Sequence, residues 1–140
     1  IEQCSHLLIF TTKKQLTNAD VEAYLFKLKN KRGENDEYLA HNREKLDALV
    51  ANTAINKPAW TNAQTYIALG YATIAAANLR IDATPIEGFN RDAMNKLLQL
   101  DAESEGATVL LALGYRNADE DRLAHKAKIR KEMEDMVEWR

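Results

Sequence analysis

A chain of 140 residues is long enough for one domain with its own core and short for two. A formal charge of −2 and a pI near 6.0 give no overall attraction to a phosphate backbone, which excludes nucleic acid as a default partner. With 46% apolar and 29% charged residues, the composition is that of a soluble globular protein. Cys4 stands alone, so an internal disulfide is excluded and a reducing, cytoplasmic location is expected. No basic-then-apolar leader is visible, and the chain starts at Ile1.

The first element is a short apolar run, Ser5 to Thr12, with aromatic and β-branched content that reads as a buried strand. Thr17 followed by Asp20 resembles a capping box, with Asp in place of the preferred Glu. The helix it starts places Val21, Tyr24, Leu25 and Leu28 on one face. Lys27, Lys29, Lys31 and Arg32 gather at its end, suited to the negative pole of the helix dipole, and Gly33 stops it. A second helix covers Asp36 to Ala51, with Tyr38, Leu39, Leu46, Leu49 and Val50 as its apolar positions.

The central helix runs from about Ala59 to Leu79, after Pro58, which suits a first turn because its missing N–H has no helical partner there. These 21 residues carry no charge, a length that could span a bilayer. Six polar groups (Thr61, Asn62, Gln64, Thr65, Thr73 and Asn78) and seven alanines oppose insertion, so no membrane contact is expected. Small and apolar residues leave no clearly solvated face, so the helix should be buried nearly all round. A larger core and a homodimer interface could each supply the second wall.

Pro85-Ile86-Glu87-Gly88 follows after a polar break and reads as a loop, either an ordinary turn or a presentation of backbone groups to a ligand. Asn90 is a good N-cap for a helix Arg91 to Leu100, with Phe89 and Met94 placed as a hydrophobic staple. Ala107 to Leu113 is the best strand, continuous and apolar, ended by Gly114. The tail from Lys126 to Arg140 alternates charge, with Ile129, Met133, Met136 and Val137 at helical spacing. Helices between apolar strands predict a layered α/β or α+β domain, although two strands are too few for a sheet of their own.

Self-sufficient side-chain chemistry is missing. His6, His41 and His125 lie far apart, no H-E-x-x-H or paired-cysteine zinc spacing occurs, and no metal is expected. There is no serine elbow, Walker loop or G-x-G-x-x-G. If the chain serves an enzyme, a bound cofactor carries the reaction.

Four pieces in order, Trp60…Gln64…Gly70, Pro85-Ile86-Glu87-Gly88-Phe89-Asn90, the strand ending in Gly114-Tyr115, and Lys128-Ile129-Arg130, resemble the flavin-dependent nitroreductase family. The resemblance covers most of the chain and is strongest from Trp60 to Arg130. It implies an α+β fold, a mixed sheet flanked by helices, with the small-residue helix buried at a homodimer interface. Residues 1–140 would form a single domain, and an incomplete one. The family's Arg-rich N-terminal segment and its Ser/Asn-x-Gln-Pro-Trp segment have no counterpart here, and Lys131-Glu132 follow the Lys-x-Arg where many relatives have Pro.

The resemblance also implies the chemistry. FMN would take hydride at N5 from NAD(P)H and, in a ping-pong cycle, pass it to a nitroaromatic, quinone or related small-molecule acceptor. Pro85, Ile86, Glu87 and Gly88 would contact the flavin, Glu87 mainly through its main chain. Gly88 would let backbone approach the ring and Pro85 would stiffen the approach. Lys128 and Arg130 would hold the flavin phosphate, with Lys126 and Lys131 as neighbouring competitors. Leu46 would line the partner's substrate channel, and no side chain is implied as an obligate general acid. The alternative is a flavin-free interaction or structural protein on a shortened version of the fold.

Overall fold

Strand β3 (Glu105–Gly114) organises the computed structural model, which describes residues 1–140. It is the middle strand of a three-stranded antiparallel sheet, flanked by β1 (His6–Lys13) and β2 (Asp82–Ile86) in the order β1-β3-β2. A strand paired on both sides reads as an uninterrupted apolar run, and Ala107 to Leu111 are all buried. Leu110 and Leu111, at 1% and 0% exposure, face Ile9 and Leu8 across one edge and Ile86 and Pro85 across the other.

Helix α3 (Lys57–Asn78) packs on β1, β2 and β3. Its start is set by Asn56, whose side chain accepts from the Ala59 N–H at 3.1 Å, with Pro58 in the first turn. Buried Thr61 donates to the Lys13 carbonyl at 2.6 Å, fixing the helix to the end of β1. At the other end the Ile81 N–H donates to the Ala76 carbonyl at 2.9 Å, and the chain turns directly into β2.

Helices α1 (Asn18–Lys27) and α2 (Asp36–Ala51) form an antiparallel hairpin with a small core of its own. Val21, Leu25 and Leu28 are buried there against Leu39, Leu46 and Val50, whereas Tyr24 of the same face remains exposed. The Asp20 carboxylate accepts from the Thr17 N–H and hydroxyl, both at 2.9 Å. The last turn of α1 widens into a π-turn over Leu28–Arg32, and Gly33 ends it at φ +69°, a left-handed conformation that favours glycine. Helix α4 (Arg91–Leu97) begins at Asn90, whose side chain accepts from the Ala93 N–H at 2.9 Å. A single turn, α5 (Met133–Met136), lies in the tail.

Four expectations change. Residues 82–86, read as a break and loop, are a strand, because an edge strand can hold Pro85 where an interior strand could not. The third strand completes a sheet that two could not form. Helix α3 is not buried nearly all round: Ile67, Tyr71 and Ile74, spaced i, i+4, i+7, form a stripe 54–73% exposed, because the sheet covers only the opposite side. The helix after Asn90 ends at Leu97 rather than Leu100, with Gln99 at φ +55°, and the tail's helical spacing yields only one turn. No helix is long and apolar enough to cross a membrane.

The start of β2 is tied to the segment leaving β3 by Asp82, which accepts from the Arg116 N–H at 3.0 Å and Nε at 2.9 Å and also pairs with Nη2. These hydrogen bonds, chiefly from the guanidinium, hold the Asp82 carboxyl below its ordinary 3.8. A lowered carboxyl stabilises the fold fully above that ordinary value and loses the contribution as pH falls through the lower, folded one. Asp82→Asn should therefore melt below wild type at about pH 7, with the gap closing near pH 2. A gap of equal size in acid would show that the pair acts through packing instead.

Candidate functional site

The sheet delivers the chain to the candidate site through β2. Pro85 and Ile86 pair with Leu111 and Leu110, so the strand holds its register up to the residue before Glu87. Beyond it the chain folds back in a tight turn, the Phe89 N–H donating to the Glu87 carbonyl at 2.9 Å. The N–H groups of Glu87 and Gly88 donate to no backbone group of the chain. A Cβ built on Gly88 would meet nothing within 4 Å, so the space beside the turn is open.

Side chains from two helices converge on Glu87. Its carboxylate lies 3.3 Å from Arg91 Nη2, one helical turn on, in a largely solvated ion pair. Tyr66 of α3 lies near the same carboxylate. Partial burial, and then the proximity of Glu87, push its phenol above the ordinary 10.0, with Arg91 opposing. The Glu87 side chain is thus engaged by neighbours while its main chain is open. The i, i+4 spacing of Glu87 and Arg91 was legible in the sequence; the approach of Tyr66 from another helix had no local signal.

The other residues singled out from the sequence fall elsewhere. Lys128 and Arg130 lie in a stretch without helix or strand, both exposed, and Arg130 Nη1 donates only to the Ile129 carbonyl at 2.8 Å. No hydrogen bond or ion pair joins either of them to Pro85–Gly88. Leu46 is partly buried against Val21, Leu25 and Leu28, so much of its side chain serves the hairpin of its own chain.

The model of the nitroreductase family matches residues 12–115, most of the chain. The chain belongs to the nitroreductase family. It is 32% identical over 139 residues to the major NAD(P)H-flavin oxidoreductase of Aliivibrio fischeri, covering 98% of this chain and 64% of that protein. It is 33% identical over 150 residues to a protein of Staphylococcus aureus strain N315 provisionally named an NAD(P)H nitroreductase, covering 99% of this chain and 64% of the relative. This nitroreductase-family chain therefore spans just under two thirds of those relatives' length. A Bacillus subtilis crystal structure, provisionally named a nitroreductase, superposes with a TM-score of 0.79 over 98% of this chain and 64% of its own, at 18% identity. That likeness shows the fold, the α+β arrangement expected from the sequence.

Proposed function

We propose that the chain, as a single nitroreductase-like domain, supplies the loop wall of a flavin site in an NAD(P)H-dependent oxidoreductase. The flavin is FMN, and the acceptor a nitroaromatic, quinone or related small molecule reduced by a ping-pong mechanism. The observation that carries this reading is the pair of open backbone N–H groups at Glu87 and Gly88, on the turn that directly follows β2. The name of the Aliivibrio fischeri relative, an NAD(P)H-flavin oxidoreductase, supports it.

Bound there, FMN would carry the hydride between nicotinamide and acceptor. The chain's own part is positional. The Glu87 and Gly88 N–H groups would serve an acceptor atom of a planar ring, stabilising charge that develops there. The ion pair with Arg91 occupies the Glu87 carboxylate, which lessens its competition for those donors. Lys128 and Arg130, free of acidic partners, are available to a phosphate dianion, Arg in a bidentate manner. The exposed stripe Ile67, Tyr71 and Ile74 would be covered by a second copy of the chain in a homodimer.

The test is the visible absorbance of the purified chain with added FMN. Flavin bands that co-purify, bleach on adding NADPH and are lost in the Lys128→Ala/Arg130→Ala double variant are the expected result. A correctly folded chain that ignores FMN would favour the flavin-free interaction protein instead.

A further inference from the structure

A polar cleft of about 460 Å³ lies where the first turns of α3 meet α4 and the neighbouring ends of β1 and β3. Its size is that of a small-molecule site, and its lining mixes charged and amide side chains with Pro58, Ala59 and Ala107. Two cations, Lys14 and Arg91, face it against one acid, Asp92, and Asn56, Asn62 and Asn95 complete the polar wall.

The orientation of two of these asparagines is dictated by the fold. Asn56 Oδ1 is taken by the Ala59 N–H at 3.1 Å, and Asn95 Oδ1 by the Ala107 N–H at 2.8 Å. With the carbonyl end of each amide committed to the backbone, the NH₂ end is the one left over, and neither NH₂ has a partner in the chain. Lys14 gives one of its three donors to the Ala102 carbonyl, and Arg91 one of its five to Glu87, leaving both with donors to spare. Lys14, Arg91, Asn56 and Asn95 therefore present donors, and with Asp92 the charged side chains of the lining carry one excess positive charge.

A wall of donors with net positive charge is complementary to an acceptor-only anion. We propose that this cleft binds a phosphate group, either inorganic phosphate or the phosphate of a small ester, through Lys14, Arg91, Asn56 and Asn95. Cations supply the charge and the two oriented amides supply direction, as in charge-assisted phosphate recognition. The volume beyond one phosphate leaves room for an attached sugar. The site shares no residue with the Lys128–Arg130 segment, and it stands whether or not the chain binds flavin.

The decisive variants are Asn56→Asp and Asn95→Asp. Each keeps the Oδ1 acceptor that the backbone requires, and Asp is as good an N-cap as Asn, so the fold is retained while a donor becomes a negative oxygen. Inorganic phosphate is titrated into ¹⁵N-labelled protein at constant ionic strength, with chloride as the balancing anion, and side-chain amide resonances are followed. Saturable shifts at Asn56 and Asn95 are expected. Affinity should fall about tenfold in either Asp variant and in Lys14→Gln, with Lys14→Arg retaining most of it. Ribose 5-phosphate binding more tightly than inorganic phosphate would mark an ester as the ligand; equal affinity would mark the free ion. Shifts that chloride reproduces, or Asp variants that fold and bind phosphate like wild type, would overturn the proposal.

Discussion

Gly88→Ala is expected to leave folding intact while weakening FMN binding by about tenfold to a hundredfold. The two halves of that expectation have separate causes. Within the chain an added methyl would meet nothing within 4 Å, and Gly88 is not in the left-handed region that only Gly33, among the glycines, occupies. The unfolded state loses some freedom on the change, so stability should hold or rise slightly. A ring lying against the Glu87 and Gly88 N–H groups needs the space that the methyl would fill, and a donor pushed out of range forfeits most of a hydrogen bond. Thermal melting together with a flavin fluorescence titration separates the two effects. Equal FMN affinity in a stable variant would remove the loop from the flavin site.

Leu111→Ala should produce the largest loss of stability, about 3 kcal/mol from the transfer of its side chain and the cavity left behind. Leu111 is fully buried at the centre of β3, between Leu8 and Pro85 on the flanking strands. Only 11 of 140 residues are buried, so few other contacts can compensate. Against a native stability on the order of 5–15 kcal/mol, such a loss is severe. The same substitution of Tyr71, 73% exposed, serves as the control and should change the stability of the monomer by no more than about 0.5 kcal/mol. Urea midpoints for both, with slopes compared, make the measurement; a Leu111 variant as stable as the Tyr71 variant would mean the sheet is not the stabilising core. Because β2 pairs only with β3, the loss should also loosen the turn at Glu87.

Much of the architecture was legible from local pattern. Helix α2 falls on residues 36–51 as its apolar spacing predicts, Gly33 ends the first helical segment, and Asn90 caps α4. Strand β3 was recognisable because both its edges are paired, which makes its sequence continuously apolar. Strand β2 was not, since an edge strand can tolerate proline, and proline by itself signals a turn. For the candidate site, Pro85 to Gly88 stood out by family resemblance, and the Arg91 partner lay at a readable spacing. Tyr66 came within range of Glu87 only because α3 runs back along the sheet.

The periodic elements and their caps follow from local sequence, because backbone hydrogen bonds and side-chain spacing within an element are set by neighbours a few residues away. The sequence also identified the loop motif and the family. Packing between distant segments settled that α3 exposes an apolar stripe, that Tyr66 comes near Glu87, and that Lys14, Asn56, Arg91 and Asn95 line one cleft. Those outcomes depend on which faces the packing of distant segments covers, and a helix pattern does not record the width of the surface that will lie against it.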